Sequence, residues 1–269
     1  MKKWILLTII AYNSYAQAQQ TAGTIIYETK VNLHKRIKNE QARMYMPEFR
    51  TNKFELLFNQ QTAVYKSYIE PETDNAFEQT ENRMVVSFGG GDNSFLYTNW
   101  TDKKLLRQTD LGSKTYLITD SLTTPNWTIT NETKNINGYT CTKAILQQTR
   151  PVPAMRMTIN NTTQTNNQNN LPQEETIEVT AWFTTTIQTS TGPDTYGGLP
   201  GAIIVLDINN GESVTTALQV SQQYNAKELK EPTKGKKVTK QEYNKLLQQM
   251  MENMQQGGGG GMRIMRMGS

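Results

Sequence analysis

From Gly23 onward the chain alternates apolar and polar residues with a period of two. Ile25, Tyr27, Val31 and Leu33 share one parity while Glu28, Lys30, Asn32 and His34 share the other, the pattern of a strand with one buried and one wet face. Short runs of the same kind recur at Phe54–Phe58, Ala63–Ile69, Arg83–Phe88, Phe95–Trp100, Lys104–Thr109 and Thr115–Thr119, then at Trp127–Glu132, Tyr139–Gln147, Thr176–Thr185, Ala202–Ile208 and Ser213–Val220. Gly89-Gly90-Gly91-Asp92-Asn93, Asp110-Leu111-Gly112, Asn137-Gly138 and Asn209-Asn210-Gly211 fall between them as turns. This spacing predicts a mainly β fold, an antiparallel up-and-down sheet of eight or more strands curled toward a half-barrel, with a closed barrel or a sandwich as the alternatives. Its expected core includes Trp127, Tyr139, Cys141, Ile177, Trp182, Leu199 and Ile203.

Three stretches break the pattern. Residues Glu70–Glu81 hold five acidic residues and no basic one, a solvated loop. Residues 150–175 are rich in Asn, Thr and Gln and interrupted by Pro151, Pro153 and Pro172, so they read as an exposed excursion that buries too little apolar surface to offset its ordering entropy. After a linker at 226–238, Thr239 and Glu242 form a capping box that opens a helix over 239–256. Tyr243, Leu246, Leu247, Met250, Met251 and Met254 make one apolar stripe along it. Gly257–Gly261 end the helix, and Met262-Arg263-Ile264-Met265-Arg266-Met267 lies in the tail over 257–269.

The first 18 residues have a secretory layout: Lys2 and Lys3, an apolar run from Trp4 to Tyr12, and Ala16-Gln17-Ala18 as the cleavage site. The run is too short to cross a bilayer, and no other segment is long and apolar enough. The lone cysteine, Cys141, is far from that site, which excludes a lipoprotein, and it has no partner for an intramolecular disulfide. It is expected to be buried. The 28 basic residues include Lys2 and Lys3, so 26 remain beyond the leader against 24 acidic ones. That balance gives no argument for nucleic acid or for an anionic membrane.

The chain holds a single histidine, His34, which rules out a His-rich zinc site or a two-histidine acid/base pair. No catalytic residue and no cofactor is assigned. Asp194, Asp207, Glu212 and Glu132 are carboxylates that could meet at one edge of the sheet, which keeps open a carboxylate-based hydrolase. Two carrier readings also stay open. Tyr27, Phe58, Tyr65, Phe88, Tyr116 and Phe183 could line a concave face for an apolar ligand, and Met262, Met265 and Met267 supply the thioethers that Cu(I) prefers. Methionine equally suits adaptable protein interfaces. Leu246, Leu247, Met250, Met251, Met254, Met262, Arg263, Ile264, Met265 and Arg266 are accordingly the candidate partner-binding residues.

Within residues 19–225, Gly197-Gly198-Leu199-Pro200-Gly201-Ala202-Ile203-Ile204 resembles the motif of the GLPGLI family of exported envelope proteins, with Ala202 where the motif has leucine. Trp127, Glu132-Thr133-Lys134, Ile136–Ala144, Ala181-Trp182-Phe183 and Gly192-Pro193 stand in the family's order. The resemblance implies an exported β-rich protein of the periplasm or the periplasmic face of the outer membrane, with no established activity, often encoded near TonB-dependent outer-membrane transporters. A non-catalytic binding or accessory protein with an envelope partner is the expected function. Read physically, Leu199-Pro200-Gly201-Ala202 suits a type II turn with Gly201 at positive φ, while Gly197 and Gly198 admit a close backbone neighbour.

Overall fold

The structure, a computed structural model, describes residues 20–37, 40–69, 95–151, 156–159, 162–165 and 174–256. The alternating runs become strands β1 (Gly23–Asn32), β2 (Phe49–Phe58), β3 (Thr62–Ser67), β4 (Phe95–Asn99), β5 (Lys104–Leu111) and β6 (Lys114–Ser121). They continue as β7 (Thr128–Ile136), β8 (Tyr139–Pro151), β11 (Glu174–Thr184), β12 (Ala202–Ile208) and β13 (Ser213–Ser221). With β14 (Lys236–Thr239) these form one open sheet of 12 strands in the order β14-β6-β5-β4-β3-β2-β1-β13-β12-β11-β8-β7. All neighbours are antiparallel except β14 and β6. The expected leader, the loop at Glu70–Glu81, the run Arg83–Phe88 and the tail 257–269 lie outside the described residues.

The register lines up apolar side chains from strand to strand. Ile25, Leu56, Tyr65 and Leu96 are successive cross-strand partners on the inner face. Leu57, Val64, Tyr97 and Leu106 are successive partners on the outer face. All eight are buried, so this half of the sheet is apolar on both sides and needs a cover on each. The main cluster joins Ile25, Tyr27, Leu56, Phe58 and Tyr65 to Cys141, Ile187 and Ala202, with Tyr139 and Trp182 against it. A second gathers Leu146, Ile177, Val179, Phe183, Leu199 and Ile203, with Trp127 against it. All seven expected core residues are therefore in or beside the core.

The outer face is covered by the connection from β13 to β14. Leu229 packs onto Leu57, Val64, Tyr97, Leu106 and Leu117, and Glu228 and Glu231 reach Lys66 and Lys104 at 2.5 and 2.6 Å. Crossing the sheet in this way delivers β14 to the far side of β6, where a parallel pairing follows from a crossover and not a hairpin. The stretch expected as a plain linker thus holds a strand and a buried leucine. Its polar composition hid both, because one leucine and one valine carry the contact.

Helix α3 (Lys240–Gln256) starts with the capping box the sequence predicts: Thr239 N donates to Glu242 Oε2 at 2.7 Å and Glu242 N to Thr239 Oγ1 at 3.2 Å. Its first turns lie on the domain, with Tyr243 and Leu246 against Tyr116, Ile118 and Val238. Two differences from the sequence reading are local. His34 lies not on a strand but in a one-turn helix, α1 (Leu33–Arg36), which Asn32 caps by accepting from Lys35 N. Part of the expected excursion is ordered, since Arg150 and Pro151 pair with Glu175 and Glu174 and a small hairpin joins β9 (Arg156–Ile159) to β10 (Thr162–Thr165). We expect Leu229→Ala to lower unfolding stability in urea by about 2 kcal/mol, through lost burial and the cavity left on the outer face.

Candidate functional site

The segment between β11 and β12, residues 185–201, carries the Gly-rich motif and crosses the inner side of the curled sheet. At its start Ile187 is buried in the main cluster and its carbonyl accepts from Ala202 N at 3.0 Å. Farther along, Trp100 at the end of β4 donates Nε1–H to Thr191 Oγ1 at 2.7 Å, and Arg107 of β5 pairs with Asp194 at 2.6 Å. Trp127 donates its indole N–H to the Gly197 carbonyl at 2.9 Å, and Tyr196 donates its hydroxyl to Gln148 Oε1 at 3.1 Å. β5 and β11 are distant in strand order. The segment therefore bridges both halves of the sheet, and Leu199 is the plug on its inner side.

Glycine is required here for two separate reasons. Gly198 sits at φ +83°, a left-handed conformation that L side chains rarely adopt. Gly201 does not have the positive φ that a type II turn would give it. Its glycine is needed because a Cβ would stand 2.0 Å from the Thr184 carbonyl oxygen, and one on Gly197 would stand 2.5 Å from the Ser190 oxygen. Close backbone approach, and not turn geometry, thus governs Gly197 and Gly201, while Pro200 is the exposed member of the group. Beside the segment is a shallow cleft lined by Thr98, Trp100, Leu122, Asp194, Tyr196 and Gly197. Both indole N–H groups are already engaged within the protein.

Each of the four candidate carboxylates is engaged in a contact of its own. Glu132 pairs with Lys143, Asp194 with Arg107, and Asp207 accepts from Gly211 N at 2.5 Å. Glu212 is 2 % exposed and is the centre of a charged cluster that the sequence reading missed. Arg150 reaches it with two nitrogens at 2.9 and 2.5 Å, Arg36 Nε at 2.8 Å and Asn209 Nδ2 at 2.8 Å. Arg150 also holds Glu175. Burial pushes the Glu212 carboxyl up, but the hydrogen bonds from Arg150 and Asn209 and the two guanidinium charges outweigh it and bring its pKa down to about 2. The only sequence signal would have been Arg150 standing opposite Glu175 in register, and that was masked by the Asn/Thr/Gln composition beyond.

Cys141 is fully buried in β8, and burial pushes its thiol up to about 11 against the opposing pull of Lys134. A thiol held protonated at neutral pH is a core residue and not a nucleophile. His34 lies in the β1–β2 connection with Nε2 3.0 Å from the Met46 carbonyl. Of the aromatic set, Tyr27, Phe58 and Tyr65 belong to the main cluster, Phe183 to the second and Tyr116 to the contact with α3. Tyr27 donates its hydroxyl to the Ile203 carbonyl at 2.8 Å. Phe88 lies outside the described residues. No group of three or more His, Cys, Asp or Glu able to hold a metal occurs among the described residues.

Leu247 and Met250 are half-buried on α3 and fall outside the cluster that holds Tyr243 and Leu246. Met251 and Met254 continue the helix, and Met262, Arg263, Ile264, Met265, Arg266 and Met267 lie outside the described residues. Among the described residues no helix is long and apolar enough to cross a membrane.

Residues 127–205 match the model of a family described as a protein of unknown function, Porph_ging. The matched span opens on Trp127, whose indole holds the motif segment, and runs through that segment into β12. Among solved structures the chain is similar to PNGF-II in two crystal forms, C2 and P21, each at 12% identity with TM-scores of 0.50 and 0.49. The likeness covers 84% and 86% of this chain but 32% and 34% of that one, so the chain spans about a third of the length of PNGF-II. At this identity the C2 likeness speaks for the β fold alone. No curated protein matches the chain.

Two measurements check the site. Gly201→Ala is expected to lower stability by about 1–3 kcal/mol in denaturant unfolding, since the methyl meets a backbone oxygen that cannot move without breaking the β11–β12 ladder. For Glu212 the folded pKa lies below the ordinary carboxylate value of 4.5, so its contribution is complete above about pH 4.5 and is lost as pH falls toward 2. Glu212→Gln should cost roughly 3 kcal/mol at neutral pH and flatten the acid limb of a melting-temperature profile measured from pH 7 to the acid range.

Proposed function

We propose that the chain is a non-catalytic binding or accessory protein of the cell envelope, of the GLPGLI type that its motif resembles. It acts in the periplasm or on the periplasmic face of the outer membrane, beside a partner such as a TonB-dependent transporter. The observation that carries this reading is the way the polar groups are used. Glu132, Asp194, Asp207 and Glu212 each serve a separate internal contact, and the inner side of the curl is occupied by the protein's own segment 185–201. That arrangement suits a scaffold that presents its outside better than one that processes a substrate inside.

The helix supplies the part left over. Tyr243 and Leu246 anchor its first turns to the domain, whereas the apolar stripe runs on through Leu247, Met250, Met251 and Met254. A stripe longer than its own docking surface is suited to a second protein surface. The five glycines and the hexapeptide Met262–Met267 follow the helix in the sequence as an arm that completes the proposed partner-binding segment. Ending the chain at Gln256 keeps the docked turns and removes only the arm. In native envelopes the shortened protein should melt at the temperature of the full chain yet lose an envelope protein that copurifies with the full chain. Equal recovery of that protein with both chains would count against the arm, and recovery of none with either would count against the accessory reading.

A further inference from the structure

The connection between β1 and β2 presents an apolar wedge backed by cations. Met44 and Tyr45 occupy adjacent turn positions at 75 % and 85 % exposure, and Phe49, two residues past Pro47, is 42 % exposed. Lys30 Nζ lies 4.1 Å from the centroid of the Phe49 ring. The turn is tied to the domain on several sides. Leu33 N donates to the Glu48 carbonyl at 2.7 Å, Arg43 Nε to the Ile37 carbonyl at 2.7 Å, and the His34 ring bonds the Met46 carbonyl at 3.0 Å. Ile37 is buried beneath it. Met44 and Tyr45 are therefore held outward by a fixed frame.

Charge follows the same placement. Lys30, Lys35, Arg36, Lys38, Arg43 and Arg50 fall between residues 30 and 50 against Glu40 and Glu48. Arg36 answers the buried Glu212, and Glu48 accepts from Asn32 Nδ2 at 3.1 Å. Lys35 Nζ donates to the Asn210 carbonyl, a neutral partner that leaves its charge in place, and the segment as a whole is positive in a protein that is otherwise nearly balanced.

We infer that this turn docks the protein onto an anionic phospholipid surface, with Met44, Tyr45 and Phe49 entering the interface and Lys30, Lys35 and Arg43 lying at headgroup depth. The choice of a bilayer over a protein rests on shape and chemistry together. Met44 and Tyr45 stand exposed side by side on a turn, and a bilayer interface admits such a turn without a complementary pocket. Tyrosine and methionine combine an apolar body with a polar or polarisable end, which suits the boundary between headgroup and acyl chain. Affinity at such a surface is the sum of buried apolar area and attraction to anionic lipid, with each nearby Lys or Arg contributing. This inference stands on its own observations and does not need the accessory reading.

Vesicles of mixed phosphatidylglycerol and phosphatidylcholine, compared with phosphatidylcholine alone, test it by co-sedimentation of the full mature chain. Binding should be at least about tenfold tighter to the anionic vesicles and should weaken as salt is raised. Met44→Ser with Tyr45→Ser should abolish most of the binding while leaving the melting temperature unchanged, because neither side chain is packed. Lys30→Glu with Lys35→Glu should remove the preference for anionic lipid. Equal binding to both vesicle types, no binding to either, or binding retained by the Met44/Tyr45 variant would each overturn the inference. Capture on immobilised poly-glutamate with no vesicle binding would assign the patch to an acidic protein, and would equally defeat the lipid reading.

Discussion

The architecture depends on covering an open sheet whose middle strands are apolar on both faces. A β-barrel solves this by closing on itself, which removes its edges and shuts in its inner face. This protein leaves the sheet open and covers each face with chain from a different connection. Inside, segment 185–201 reaches from β11 to β4 and β5 and is fastened by the two indole N–H groups and the Arg107–Asp194 pair. Its entry and exit are narrow enough that Thr184 and Ser190 carbonyl oxygens fill the places where side chains of Gly201 and Gly197 would begin. Gly197 and Gly201 are thus explained by distance between backbones, and Gly198 by its left-handed φ.

Outside, the chain between β13 and β14 does the corresponding work with fewer apolar residues. Leu229 supplies the burial, and acidic residues on either side of it hold lysines of β3 and β5. The sheet ends are treated differently. β14 is four residues long and leads straight into α3, whereas β7 is a longer strand whose residues are mostly polar and exposed. Both are ways to limit pairing with a stray strand.

The charged cluster at Glu212 ties together parts of the chain that the sheet ladder alone would not. One carboxylate receives Arg36 from the β1–β2 connection, Arg150 from the end of β8 and Asn209 from its own turn. A buried ion pair is weak as a source of net stability, yet it is costly to break once formed. Its effect is to fix how the β1–β2 connection sits on the sheet. The exposed turn at Met44 and Tyr45 inherits its orientation from that fixed base.

Much was determined by sequence alone, and for a local reason. Period-two alternation is set by where successive side chains point, so most strands of the sheet, its antiparallel order and the core residues from Trp127 to Ile203 could be read directly. The capping box at Thr239 and Glu242 is equally local, since its partners are three residues apart. What the tertiary structure decided involves groups far apart in the chain. The reason for glycine at 201 is the Thr184 oxygen, which only the β11–β12 arrangement brings there. Glu212 and Arg150 are separated by strand crossings that no pattern of polarity records, and β14 pairs only because Leu229 finds an apolar outer face. Alternation encodes which side of a strand is dry. It does not encode which distant segment will keep it so.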